Sequence, residues 1–450
     1  MSTFKGIVDE FPEIRIDYFR TIAGRTPPLA GFLSHVHSDH LIGLESLKSP
    51  FVYCSLATRE LLLRLEKYPH RMNFAKGILE TRKQHYKHLR NLLKPIPLNA
   101  PTNIELRPGK TIRVTLLDAN HCAGAVMFLI EGSATAILYT GDIRSEPWFV
   151  NALIRNPVVI PYAHGHRKLD KIYLDTTFAS KSEPHRNFPT KADGLKELLV
   201  QVLRYPEETV FHFHAWTPGY EEVWIALASA LRTQIHVDRY KMELYGSLTP
   251  TSSGTAHSSE CQVLCGFKYG NREQAGCLTS DHTVRLHSCE RGTSCPTLDN
   301  SDVVWITPII ARSKDGVTIP ELGAGGGEGD LTQAHELELS DPKAALELMR
   351  LCLSNIHDKQ MQEKTLSFLS SALSSHRKCV SLDALGLEDC DDSIPLERLT
   401  ELLARLAGRE EVLHQQERVP GNMFTAPKTI KARKLYQSTQ KLPRSIVRRV

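Results

Sequence analysis

Leu33-Ser34-His35-Val36-His37-Ser38-Asp39-His40 is the stretch that decides how this chain is read. Three imidazoles and a carboxylate fall within six residues, directly after a predicted strand over 29–33. On a turn, such side chains can point toward one spot and hold a divalent ion. Imidazole nitrogen with carboxylate oxygen suits zinc, with manganese or magnesium where carboxylates dominate. Two later positions have the same setting: His121 follows a predicted strand over 114–117, and Asp142 follows one over 136–139. Ligands at the ends of successive strands collect along one sheet edge. In that arrangement His35, His37 and His121 would hold one metal, Asp39 and His40 a second, and Asp142 would bridge them. Two metals about 3.5 to 4 Å apart supply what phosphodiester hydrolysis needs: a water ionised near neutral pH, and charge to balance the phosphate oxygens. Asp17 and Asp175 also end predicted strands, where each would orient a ligand histidine or handle the leaving-group proton.

A second cluster lies further along. His236 ends a predicted strand over 234–237, and His287, Cys289 and Cys295 follow. Two imidazoles and two thiolates fit a closed tetrahedral zinc, which is a structural site. Cys261, Cys265 and Cys277 compete as ligands, and unliganded core residues are the plain alternative.

At 450 residues, 41% apolar and 24% charged, the chain is long enough for two domains and a tail and has the composition of a soluble globular protein. No apolar run approaches the roughly 20 residues that cross a bilayer, and the first 20 residues lack the pattern of a secretory signal. The expectation is a protein inside the cell, without a membrane partner, where ten cysteines suit metal better than disulfides. The net charge of +4 implies no polyanion by itself. Its distribution says more: residues 428–450 carry eight basic and no acidic residues, which reads as a nucleic-acid contact, an import signal or a solvated tail. Lys76 to Leu93 reads as a basic amphipathic helix, either tracking a phosphate backbone or facing solvent. Up to about 178 the chain reads as strands with a few helices. A second α/β segment over 179–312 has predicted strands at 210–213 and 303–306 and a helix at 221–231. Residues 247–260 read as a loop, 342–353 as a helix, and everything beyond 356 as helical and polar, without strands.

Taken together, His35-x-His37-x-Asp39-His40, Asn120-His121-Cys122-Ala123-Gly124, Tyr139-Thr140-Gly141-Asp142-Ile143-Arg144 and Tyr173-Leu174-Asp175-Thr176-Thr177-Phe178 resemble, in order, the motifs of the β-CASP metallo-β-lactamase DNA nucleases, in particular the Artemis and crosslink-repair branch. The resemblance covers roughly residues 1–350. It implies a metallo-β-lactamase αββα sandwich over 1–178, completed by about 313–355, an inserted β-CASP α/β domain over 179–312, and a helical to disordered basic tail over 356–450. By the same resemblance Asp17 fills the first metallo-β-lactamase motif and Asp175 the first β-CASP motif, while His236, His287, Cys289 and Cys295 match a zinc-finger-like site. It further implies a zinc-dependent nuclease in the nucleus, acting in repair on single-stranded, hairpin or overhang DNA ends as a 5′ exonuclease or structure-specific endonuclease, with repair-protein partners engaged through the C-terminal region.

One position departs from the pattern. Family members usually carry a histidine after a late strand, whereas this chain has Ser340-Asp341-Pro342, with His335 six residues before Asp341. Either residue would serve as the second-metal ligand. The competing functions are RNA processing, which other β-CASP proteins perform, and a catalytically weak scaffold of the same fold. A small-substrate hydrolase has no use for the insertion over 179–312, which would wall a groove long enough to clamp a strand.

Overall fold

The alternation at Ile14-Arg15-Ile16 folds as expected into a short strand, Ile14–Ile16, which pairs in parallel with Ala30–Phe32. Val52–Cys54 and Leu93–Pro95 extend this into a four-stranded parallel sheet. A five-stranded sheet runs in the order Lys171–Tyr173, Ala136–Tyr139, Val126–Glu131, Lys110–Asp118, Thr102–Arg107. Its members are antiparallel apart from the first pair. The structure, a computed structural model, describes residues 4–177, 189–249, 259–290, 295–300, 302–312, 318–320, 330–331, 335–339, 341–374, 379–382, 393–417 and 445–449.

Side-chain alternation sorts these two sheets into layers. Ile14, Ile16 and Phe32 of the first share one core with Val114, Leu116, Phe128 and Ile137 of the second. The opposite parity of the second sheet, Leu117, Met127 and Leu129, packs with Phe149 of helix Pro147–Leu153. Val52 and Cys54 of the first sheet pack with Leu61 and Leu62 of helix Leu56–Leu62, whose start is capped by Ser55 accepting from the Thr58 N–H. The result is helix, sheet, sheet, helix. A third sheet has the order Leu278–Thr279, Ile235–His236, Leu286–His287, Val210–Phe213, Val303–Arg312, Thr318–Pro320, with Ser445–Arg449 alongside Val303–Arg312. Helices Lys191–Val202 and Glu221–Leu231 supply Leu198, Val202, Trp224 and Leu227 to the core that contains Phe211 and Phe213.

All of these elements fall in one compact unit, Met1–Leu65, His85–Thr332 and Arg444–Val450. A second unit comprises Glu66–Gln84 and Gln333–Pro443. In it the hairpin of Glu66–Asn73 and Ile78–Thr81 pairs with His335–Glu338 and Ser393–Pro395. Helices Pro342–Asn355, Lys359–Ser374 and Leu396–Glu417 belong to the same unit, whose core includes Leu337, Leu348, Leu369 and Leu399.

Three sequence expectations are corrected here. Lys76 to Leu93 is not a helix but strands Ile78–Thr81 and Gln84–His85, a 3-10 turn at Lys87–Asn91 and the start of the strand Leu93–Pro95. Gly77, at φ +67°, closes the hairpin, and the cations that suggested a helical stripe pair locally, Lys76 with Glu80 at 2.9 Å and Lys83 with Glu66 at 2.5 Å. The spacing of Leu61, Leu62 and Leu65 predicts a helix over 59–68, but the helix stops at Leu62 and gives way to the strand from Glu66. The region beyond 356 is not free of strands: Cys379–Ser381, Ser393–Pro395 and Ser445–Arg449 are extended. Residues 250–258 of the loop expected over 247–260, and residues 428–444 of the basic tail, lie outside the described residues.

Candidate functional site

The first sheet delivers Asp17 and His35 just beyond adjacent strands, and the second delivers His121 and Asp142 just beyond Lys110–Asp118 and Ala136–Tyr139. Each turn that does so is tightly bent. Asp17 has φ +56°, Asn120 +53° and Gly141 +55°. For the two non-glycine residues that is a conformation worth paying for only where the surroundings over-determine it. At Gly141 a Cβ would come within 3.0 Å of Ser34 Cβ. The sequence thus places a glycine where two ligand loops touch.

One donor atom from each of His35, His37, His121 and Asp142 lies within 4.8 Å of the others, a grouping that could hold a metal ion. His35 Nε2 is fully buried, has no hydrogen-bond partner among the described residues and lies 3.7 Å from Asp142 Oδ2. The other ring nitrogens explain why. Ser34 gives its only proton to Asp17 Oδ2 at 2.7 Å, so Ser34 Oγ must accept from His35 Nδ1–H at 2.9 Å. That leaves a lone pair on Nε2. His37 Nε2–H likewise donates to the Pro218 carbonyl at 2.9 Å, turning Nδ1 toward His121 Nε2 at 3.1 Å. Two imidazoles, those of His35 and His37, are therefore held with a lone pair toward the Asp142 carboxylate, and His121 Nε2 lies alongside. Without a cation they repel protons: burial, then His40, His37 and His121, push His35 well below the ordinary histidine range, and burial with His37 takes His121 to about 3.

His40 has the opposite surroundings. Its Nδ1 lies 3.0 Å from Asp17 Oδ2, and its Nε2 lies 3.3 Å from Asp142 Oδ1 and 3.6 Å from Asp39 Oδ2. Burial opposes charging it, but Asp17 and Asp142 outweigh burial and raise it well above the usual value. Burial likewise works against the Asp142 carboxylate, yet His40, His35 and His121 hold it far below the usual carboxylate range. Such a site is arranged for positive charge, which a divalent ion between Asp39, His40 and Asp142 would also supply. Asp175 stands one step back, accepting from the Ile143 N–H at 3.4 Å and from Thr177. Asp341 and His335 belong to the second unit and are not in the group. Asp341 caps helix Pro342–Asn355 by accepting from Lys343 N–H at 3.0 Å, and His335 begins the strand His335–Glu338.

Sequence reasoning missed Ser34 and Asp330. Asp330 is buried and accepts from the Ser38 N–H at 3.3 Å and from Thr217 Oγ1 at 3.4 Å. It therefore ties the turn from His35 to His40 to the segment whose Pro218 carbonyl orients His37, from 292 positions away. No motif announces such a residue. Serine before the first histidine could have been noticed as a hydroxyl placed to relay between Asp17 and His35. Replacing Ser34 with alanine is expected to lower activity and metal affinity by about 10- to 100-fold while the fold melts within a few degrees of wild type; equal metal affinity in a competition titration would remove the relay role.

The second cluster also closes. His236 and His287 are register partners on adjacent parallel strands, so their side chains emerge side by side. Their Nδ1 atoms are 3.1 Å apart, and Cys295 Sγ is 3.7 and 3.6 Å from them. Tetrahedral zinc with bonds of about 2.0 Å to nitrogen and 2.3 Å to sulfur needs roughly 3.3 Å and 3.5 Å for those separations. Cys289 completes the group. Burial and the Cys295 thiol push Cys289 up to about 12, and burial with His236 takes His287 down to about 4, so both groups favour their uncharged forms unless a cation is close. Cys261, Cys265 and Cys277 are not in this group.

Residues 29–164 match the Anti-Pycsar protein Apyc1 family, a span that holds every member of the first cluster and stops before the second. Protein artemis of Rattus norvegicus is 33% identical over 315 residues, 64% of this chain and 41% of that protein. The human protein artemis is 30% identical over 314 residues, with the same coverage. The 5′ exonuclease Apollo of Gallus gallus is 33% identical over 212 residues, 47% of this chain and 38% of that protein. The Artemis-like resemblance holds. The chain spans about two fifths of the length of these Artemis and Apollo relatives. A solved protein of unknown function from Enterococcus faecalis V583 covers 64% of each chain at 15% identity and a TM-score of 0.36, too remote to argue from.

Proposed function

We propose that this chain is a zinc-dependent nuclease that hydrolyses the phosphodiester backbone of DNA ends in the nucleus during repair. The observation that carries the reading is the convergence of His35, His37, His121 and Asp142 within 4.8 Å, with His40 joining Asp142 from the other side at 3.3 Å. The helix–sheet–sheet–helix layers, built from elements between Ile14 and Tyr173, support a metallo-β-lactamase domain over 1–178, whereas Glu66–Gln84 and the part of the expected completion over 313–355 from Gln333 onward fall in the second unit. The sheet built on Val210–Phe213 supports a β-CASP domain over 179–312. Likeness to Artemis and to the 5′ exonuclease Apollo supports DNA over RNA.

His35, His37 and His121 would hold one ion, Asp39 and His40 a second, and Asp142 both; His236, His287, Cys289 and Cys295 would hold a structural zinc. Bound ions supply positive charge for the phosphate oxygens and lower the pKa of water into the neutral range. The chain's own residues do the positioning. Asp17 fixes His40 directly and His35 through Ser34, so one buried carboxylate orients a ligand of each ion. The Pro218 carbonyl fixes the His37 tautomer, and Asp175 holds the loop after Asp142 through Ile143 N–H. Asp39 and His40, beside Asp142, are the second-ion ligands in this reading, with Asp341 or His335 as the further ligand that the sequence offers.

The test is a panel of 5′-phosphorylated single-stranded DNA, hairpin DNA and matched RNA with the purified chain and zinc. DNA cleavage abolished by chelation is the expected result. Cleavage of RNA alone would overturn the substrate, and a chain loaded with zinc that cuts neither would overturn the reaction.

A further inference from the structure

Helix Pro147–Leu153 opens with a tryptophan in water: Trp148 is 57% exposed, whereas Trp216 and Trp224 are buried. The indole is fixed in place all the same. Its Nε1–H donates to Glu146 Oε2 at 2.7 Å, and its ring meets the edge of Phe149. Glu146 is a buried hub that also accepts from Arg144 Nε–H at 2.7 Å and from the Lys191 backbone N–H at 2.8 Å. Burial opposes its charge, but these donors prevail and hold it below the usual carboxylate range.

The hub is anchored to the metal-ligand loops. The Arg144 N–H donates to the Ala119 carbonyl at 3.2 Å, and the Arg144 carbonyl accepts from Asn120 Nδ2 at 3.0 Å, next to His121. Trp148 is six residues from Asp142, so it lies within about 20 Å of that carboxylate's backbone, a few nucleotides of single strand. The charge around it suits a polyanion. The Arg144 side chain is 34% exposed with one of its five N–H donors committed to Glu146, and Lys191, which pairs with Glu222 at 3.4 Å, is near enough to weigh on His121. A large apolar ring held rigid in water, near a half-exposed arginine and the loops that carry His121 and Asp142, is the makeup of a stacking platform on a strand-binding surface.

We infer that Trp148 is the platform on which one base of single-stranded DNA stacks as its backbone enters the metal centre, with Arg144 contacting an adjacent phosphate and Glu146 as the positioning residue. This rests on the nuclease reading and adds to it a named specificity contact. The face of a base is recognised in any sequence, so the platform favours unpaired ends over duplex without choosing among bases.

The test uses the full chain with zinc and 3′-labelled, 5′-phosphorylated oligothymidine carrying phosphorothioate linkages that resist hydrolysis, read by anisotropy. Trp148→Ala is expected to weaken binding about tenfold, and Trp148→Phe to restore most of it. In a series with one abasic residue moved along the strand, the alanine penalty should vanish at a single position. Equal affinity of wild type and Trp148→Ala, or a penalty unchanged at every abasic position, overturns the platform. Melting curves of both variants identify any loss due to unfolding, and Trp148→Phe keeps the result decisive if alanine unfolds the helix. Should wild type cut DNA while Trp148→Ala binds normally, only the platform falls; should wild type neither bind nor cut DNA, the nuclease reading falls.

Discussion

Asp142→Asn is expected to slow DNA cleavage by about a thousandfold or more while leaving the melting temperature within a few degrees. The amide keeps the shape of the carboxylate and removes only its charge. That charge faces His35 Nε2 and His121 Nε2 at 3.7 Å and His40 Nε2 at 3.3 Å, so a single change acts on both proposed ion positions. An interaction worth several kcal/mol in the transition state, at 1.36 kcal/mol for each tenfold, gives that size of loss. Single-turnover rates with saturating enzyme measure it directly, and zinc counted on the same samples tells lost metal from lost chemistry. A variant retaining a tenth of the wild-type rate would mean that Asp142 does not bridge, and the two-ion arrangement would be withdrawn.

The parts of this site that could be read from sequence were those where local pattern and local chemistry coincide. His35, His37, Asp39 and His40 are close along the chain, and His121 and Asp142 follow short apolar strands that alternation reveals. The strand Leu286–His287 was not legible, because two residues carry no periodicity. Yet its register with Ile235–His236 is what brings the two imidazoles together. Asp330 and Pro218 act through contacts spanning 292 and 181 positions, and no spacing rule reaches that far. Lys76 to Leu93 differs for another reason: cations on a hairpin, with Lys76 and Lys83 answered by Glu80 and Glu66, give the same composition as a basic helix face, and only Gly77 marks the turn. Trp148 was passed over because a single exposed aromatic has meaning only beside its neighbours. Its bond to Glu146 is local in sequence, but the tie from Glu146 to Lys191 is not.

Those long-range ties have a common direction. Asp17, Ser34, Pro218 and Asp330 all act on the turn from His35 to His40. Histidine tautomers on that turn are therefore set by segments that meet only once the first unit has folded. A preorganised centre of this kind lets an incoming ion find lone pairs already aimed, rather than recruiting them from a mobile loop.

Cys289→Ser should lower the bound zinc by about one per chain and the melting temperature by about 10 °C or more. Cys289 is buried, belongs to the group with His236, His287 and Cys295, and offers its carbonyl to His212 Nε2–H at 2.9 Å. The four residues come from the ends of Ile235–His236 and Leu286–His287 and from the chain just beyond, so an ion there would clamp the centre of the third sheet. Losing a structural metal is among the few single changes that cost on the order of 4 kcal/mol or more, and a domain of this size loses about 2 to 4 °C for each. A chelator separates metal loss from a bad substitution. Zinc bound only by the folded state stabilises it in proportion to the logarithm of free zinc over its dissociation constant. Wild type should then melt progressively lower as chelator is added, whereas the variant, holding only the catalytic ions, should respond far less. Equal responses would show that the cluster carries no zinc, and the buried thiols would be core residues like Cys54 and Cys352.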